Sequence, residues 1–322
     1  MFFKHIRLTP IAMVCAIMCH STARAQDAVL PEVAVSADSD KRPSAQANRL
    51  GTSVQDTAQA VTLIDAALMQ AQGATRLEDV VVNAPGVAQS QAHIGVFSNF
   101  ILRGFRADNS TAYFKDGLRF NRQLQVSLQN IAQIEVVRGP SSLQYGQLAP
   151  GGLINFVTKK PTASTLRQVA LGASNVGQLD AGMDIAGKLN DSGSALYRLN
   201  AEAKKLDSFR DQVEGNSFFF APALTFKVAD ATTLDLSFEH TRLDTMYDSG
   251  LVAPDGRSIA SARRIDPGTF YGVSDGRYDA RSSNAAVRLE HALDNTWLVR
   301  FDHASAFRNI NTLRELQQFE SD

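Results

Sequence analysis

Cysteine is almost missing from this chain: 2 are present among 322 residues, and both, Cys15 and Cys19, fall within the first twenty. If that leader is removed, the mature protein has no disulfide to staple it. No run of about 18 apolar residues occurs, which excludes a transmembrane helix. Neither sign of charge dominates, with 32 basic and 33 acidic residues and a net charge of −1, so the strongly basic surface that suits nucleic acid is absent. Also missing are a lysine after a phosphate-cradling glycine loop, a Gly-x-Ser-x-Gly turn and a His-Glu-x-x-His pair. No catalytic residue is therefore assigned. His93, His240, His291 and His303 lie far apart, so no metal set and no resident cofactor is read.

The N-terminus is informative. Lys4, His5 and Arg7 precede a mainly apolar stretch over 8–19, and Ala23-Arg24-Ala25 offers a small-x-small cleavage site. This is the pattern of a secretory signal peptide, 1–25, too short to span as a helix. Met18 is too bulky to precede a lipidated Cys19. Removing Lys4, Arg7 and Arg24 leaves 29 basic against 33 acidic residues, a mature charge of −4.

Residues 26–57 are polar, without sustained periodicity, and read as a flexible arm. Within it Val33 and Val35 alternate with small residues. Two readings stay open there: a disordered tail, or a peptide that adds as a strand to a partner's sheet edge.

A folded unit follows over 58–161. Val61 to Ile64 reads as a strand. Asp65 caps a helix ending near Gly73, and Thr75 with Glu78 forms a capping box that opens a second helix to about Val82. Residues 100–103 and 111–114 read as strands, and Asp116-Gly117 as a hairpin turn returning through 118–120. A further short helix is expected over 124–131. The expected core is Val61, Leu63, Leu77, Val80, Val81, Ile101, Ile134 and Val136.

From Thr165 the period becomes two. Tyr197, Leu199, Ala201 and Ala203 alternate with Arg198, Asn200, Glu202 and Lys204. Seven such segments are read, near 166–173, 177–187, 195–206, 217–228, 232–244, 281–292 and 296–309. Short connections alternate with long ones, the longest over 245–280. A soluble antiparallel sheet alternates in the same way, but segments of about 10–12 residues suit a tilted bilayer span better than ordinary strands of about 5–6. The fold class expected is an α+β domain followed by antiparallel transmembrane β-barrel strands.

These residues carry a resemblance. Ala60-Val61-Thr62, Leu77 to Val80, Asn83 to Val87, Ile101 to Phe105, Asp116 to Leu118, Ile134 to Pro140, Tyr145-Gly146, Pro150 to Gly152 and Asn155 to Pro161 occur in the order seen in TonB-dependent outer-membrane receptors of the ferric-siderophore type. The resemblance implies a plug inside a barrel of about 22 strands, in the outer membrane of a Gram-negative bacterium. It implies that Pro31, Glu32, Val33, Ala34, Val35, Ser36 and Ala37 are the TonB box, gripped by TonB with its inner-membrane energy-coupling proteins. The ligand would be a ferric siderophore, with iron arriving as cargo, and the surrounding partner would be outer-membrane lipid. Receptors for cobalamin, haem or an oligosaccharide remain alternatives.

By family position the apical plug loops are 89–99, 106–110 and 119–123. His93, Phe97, Arg106, Arg119, Phe120, Asn121, Arg122 and Gln123 are the ligand-facing candidates, the arginines to attract an anionic complex and the rings to pack its organic shell. Arg103, Glu135 and Arg138 are expected in internal or plug-to-barrel ion pairs. Gly104, Gly139, Tyr145, Gly146, Gly151 and Gly152 are expected to serve plug structure or gating. One departure stands out. The 161 residues after Pro161, shared among about 22 strands, give roughly seven each, short of the 9–11 that span a bilayer. The chain ends without an aromatic terminal strand, so a fragment is expected, with a non-transporting truncated product as its alternative.

Overall fold

The computed structural model describes residues 59–93, 96–122, 124–140, 145–248, 265–272, 276–294 and 296–312. The leader, the arm with its TonB box, Gln123 and the last ten residues lie outside the described residues. The plug begins with strand β1 (Ala60–Asp65) and helix α1 (Ala66–Ala71). Asp65 ends the strand and caps the helix, its Oδ1 accepting from Leu68 N at 2.8 Å. Helix α2 spans Leu77–Val81. Its cap lies one residue later than the Thr75–Glu78 pairing predicts. Asp79 Oδ2 accepts from the amides of Thr75 (3.1 Å) and Arg76 (2.9 Å). Burying Leu77, Val80 and Val81 together fixes the helix face, and that face leaves Asp79 turned back over the open amides while Glu78 is buried.

Next come β2 (Val87–His93), β3 (Phe97–Leu102) and β4 (Phe105–Arg106), a three-stranded sheet. The expected apical loop over 89–99 is thus largely a hairpin. Gln89, Ser90 and Gln91 give β2 no apolar alternation to read, and its register comes from β3, whose Phe100 and Leu102 are buried. The second plug sheet contains β1, β5 (Tyr113–Lys115), β6 (Leu118–Arg119), β7 (Ile131–Arg138) and β8 (Gly152–Thr158) in the order β1-β7-β8-β5-β6. Only β5 and β8 run parallel within it. The short helix expected over 124–131 is a single 3₁₀ turn, Leu128–Asn130, because Ile131 already starts β7. Ile64, Met69, Leu77, Val80, Val81, Phe100, Leu102, Tyr113, Ile134, Val136, Ile154 and Phe156 form the core. Of the expected core, Val61, Leu63 and Ile101 are only half-buried.

After the plug, β9 (Leu166–Ala173), β10 (Leu179–Lys188), β11 (Ala195–Leu206), β12 (Gly215–Ala229), β13 (Thr232–Met246), β14 (Arg277–Ala292) and β15 (Leu298–Thr312) form one antiparallel sheet in sequence order. All seven predicted segments are strands, and four of them run further toward the long-connection end than the alternation suggested. Pairs such as Gly215–Thr245 and Asp244–Asp279 keep the ladder going where apolar alternation has stopped. Side chains of one parity, including Glu239 and Leu243, meet the plug. The other parity presents Phe218, Phe238 and Phe307 outward.

Candidate functional site

Charged groups hold the plug to the wall. Glu239 on β13, nearly buried, receives the Lys115 ammonium at 2.5 Å and the Asn130 amide at 2.6 Å. On β10, Asp184 is 2% exposed. It accepts from Lys159 at 2.9 Å and from Arg198 Nε and Nη2 at 2.9 and 2.8 Å. Arg198 also donates to the Lys160 carbonyl at 3.0 Å. The chain leaving the plug is therefore stapled to β10 and β11 by one carboxylate and two cations. Breaking such a buried set by removing one partner is costly, because the remaining charges stay desolvated.

The β5–β6 turn is held in the same way. Asp116 (φ 49°) and Gly117 (φ 81°) both take left-handed backbone, as the hairpin turn requires. Arg288 on β14 donates to the Asp116 carbonyl at 2.9 Å. Burial opposes the charged form of Asp116, but the Lys160 ammonium, the Thr158 hydroxyl and the Thr158 amide together hold its pKa below the ordinary carboxylate value. Ser127 donates to Glu202 on β11 at 2.8 Å, and Lys204 donates to the Thr75 carbonyl at 3.3 Å.

Val96, just before β3, reaches the long-connection end of the wall. Val96 and Leu124 pack there with Leu243, Tyr278 and Ala280, and Gln125 N donates to the Val96 carbonyl at 3.0 Å. Residues 107–110 return alongside β3. Asp108 is held below the usual carboxylate range by the Ser110 hydroxyl and amide, which outweigh its slight burial. Loops 106–110 and 119–122 are brought together by Arg122 N, which donates to the Asn109 carbonyl at 2.9 Å.

Arg122 itself does not reach out for ligand. It is 1% exposed, with Nη2 donating to Asn109 Oδ1 (3.2 Å) and Tyr113 OH (3.3 Å). Its guanidinium lies over the Tyr113 ring at 4.4 Å. Burial raises the Tyr113 pKa against the opposing pull of Arg122, so the phenol stays neutral. Arg119 is exposed, but its Nη2 donates to the carbonyls of Tyr145 (3.3 Å) and Gln147 (3.1 Å). Phe120 packs on the plug core, edge-on to Phe156, with the Lys115 ammonium 4.1 Å from its ring centre. Phe120 and Asn121 line a cavity of about 210 Å³ between plug and wall. Arg106 is exposed, and His93 and Phe97 flank the β2–β3 turn.

The expected ion pairs of Arg103 and Arg138 take a different form. Arg138 donates to the Pro85 carbonyl at 2.8 Å and to Thr62 Oγ1 at 3.2 Å. Arg103 (φ 49°) and Gly104 (φ 84°) make the β3–β4 turn, and the Arg103 side chain lies against Gly139. Among the described residues neither arginine meets a carboxylate. Glu135, fully buried, accepts from Asn155 at 2.9 Å and Gln133 at 3.1 Å. Close approach explains two glycines: a Cβ on Gly151 would sit 2.3 Å from the Leu102 carbonyl, and one on Gly152 2.0 Å from that of Val137. Tyr145 packs edge-on against Phe114 and beneath Gly146 the chain turns with φ 77°.

A small mixed-sheet domain, tied by buried charges to an antiparallel wall whose far face exposes aromatic side chains such as Phe218, Phe238 and Phe307, defines the plugged-barrel class. Residues 53–153 match the family model of the TonB-dependent Receptor Plug Domain. The chain is 31% identical over 265 residues to the ferrioxamine B receptor of Salmonella typhimurium, covering 79% of this chain and 38% of that protein. It is 27% identical over 310 residues to the catecholate siderophore receptor Fiu of Escherichia coli K12, covering 92% and 40%. The crystal structure of Fiu in its open form superposes with a TM-score of 0.74 at 26% identity, over 85% of this chain and 42% of that one. Over residues 53–153 the chain carries the plug domain of the TonB-dependent receptors, and the relatives it resembles are siderophore receptors. It spans about two-fifths of the length of these relatives.

Proposed function

We propose that the whole protein is an outer-membrane receptor that binds a ferric siderophore at the long-connection end and passes it inward when TonB pulls on the arm. The observation that carries this reading is the plug tied to the wall through Asp184 and Glu239. Such a domain blocks the lumen until its polar contacts are exchanged, and polar pairs exchange with water more readily than a dry apolar seam. In this reading the leader is cleaved near Ala25, Pro31 to Ala37 is the strand TonB grips, and wall residues such as Phe218 and Phe307 face lipid. The protein acts as a transporter, not an enzyme, with iron as cargo and no resident cofactor or nucleic-acid partner. Ligand contacts fall to the 93–97 turn and Arg106, while Arg119 and Arg122 shape the plug around them.

Growth of iron-limited cells on a panel of ferric siderophores tests this. Deleting residues 31–37 should abolish growth on the active siderophore while leaving it bound at the surface. Growth that survives the deletion would overturn the placement of the TonB contact.

A further inference from the structure

Three cavities lie in series along the seam between plug and wall. The uppermost, about 330 Å³, is lined by Asp207 and Ser208, past the end of β11, and by Gln125 and Ser127 of the plug. The lowest, about 210 Å³, reaches Lys160 and Pro161, where the chain leaves the plug. A space of about 20 Å³ joins them, sharing Gln125 and Ser127 with the first and Lys115, Asn130 and Glu239 with the second. The seam thus carries a path from the long connections to the plug exit, narrowed at one point.

That narrowing is water-sized. A cavity needs at least about 10–15 Å³ to hold one water, so this one takes a single water and excludes an ion with its hydration shell. Its lining is polar. Gln125 Nε2, a donor, and Asn130 Oδ1, an acceptor, are both buried without a hydrogen-bond partner among the described residues. The Lys115 ammonium meets the Glu239 carboxylate there at 2.5 Å, with the two side chains 16% and 9% exposed. Asn284 on β14 and Arg308 on β15 line the same space, so it holds two cations against one carboxylate. Below it the wall presents Ala221, Ala223, Ala286 and Ala304, none with a side chain long enough to block the path.

We propose that the Lys115–Glu239 pair is a gate that keeps this path closed to small ions in the resting receptor, and that parting it admits anions. The preference follows from charge: without the carboxylate, Lys115 and Arg308 are left facing the narrowing. This rests on reading the wall as part of a membrane-spanning barrel that the plug fills.

Conductance of the full-length receptor in planar bilayers tests it. The native receptor should be nearly silent. Glu239→Gln keeps the side chain's shape and should raise conductance by roughly tenfold or more, the population shift expected when one charge-assisted bond is lost, with chloride favoured over potassium. Lys115→Met should also conduct, but with that preference weakened, since Glu239 then offsets Arg308. Unheated gel mobility reports whether the barrel has folded, and either variant that passes serves alone. Asn284→Cys adds the one cysteine beyond residue 19, and in the Glu239→Gln background a bulky maleimide on it should close the leak. Silent folded variants, a Glu239→Gln leak that favours potassium, or a leak that persists after complete labelling would overturn the proposal. A leak in the variants with no siderophore uptake by the native receptor would sink the transport reading alone. Uptake with no leak from either variant would sink this one alone.

Discussion

Replacing Asp184 by alanine tests the staple between plug and wall. The side chains of Asp184, Lys159 and Arg198 are 3%, 14% and 13% exposed. Removing the carboxylate leaves two cations facing each other with little water to screen them. Losing one partner of a buried set costs about 3–5 kcal/mol, and the slight exposure of both cations favours the lower end. If opening is fast relative to cleavage, proteolysis follows the open population, and about 3 kcal/mol is on the order of a hundredfold. Trypsin should therefore cut after Lys159 roughly a hundred times faster in Asp184→Ala. In a double-mutant cycle, Arg198→Met in the same background removes the other cation, keeps the Lys159 cut site and should recover part of the loss. A cleavage rate within about twofold of native would refute the reasoning, showing that the staple is already open in solution or contributes nothing.

Further outcomes follow from the plug. Gly152→Ala places a Cβ against the Val137 carbonyl at a backbone φ of 123°, and should lower stability by about 3 kcal/mol or more, read from the urea midpoint. Arg122→Lys keeps a charge but loses the fork and the stacking on Tyr113, which should cost about 1–3 kcal/mol in the same assay. Asp116 has a lowered folded-state pKa, so its stabilisation is present above the unfolded value of about 3.9 and is lost as pH falls through the folded value below that. The stability gap between native protein and Asp116→Asn should therefore be widest near neutrality and shrink in strong acid. A gap that grows on acidification would contradict the assignment.

Much of this architecture was legible because the wall repeats one signal. Tyr197, Leu199 and Ala201 against Arg198, Asn200 and Glu202 leave a single way to place β11, and each neighbour repeats the pattern. The β2 strand was not legible, since Gln89 to Gln91 are polar and their conformation is set by pairing with β3. The site was less legible than the fold. Lys115 and Glu239 are 124 residues apart, and no local pattern announces that two such charges will meet. By sequence Arg122 reads as a ligand-facing loop arginine, and only the surrounding Phe100, Tyr113 and Asn109 turn it into a buried strut.

Accumulation of radioiron in iron-limited cells, supplied as ferric siderophores with and without an energised inner membrane, tests the central claim most directly. The account predicts energy-dependent uptake of at least one siderophore that disappears when residues 31–37 are deleted, with surface binding unchanged. Absence of uptake with every siderophore supplied to the full-length receptor, or uptake indifferent to energy, would contradict it.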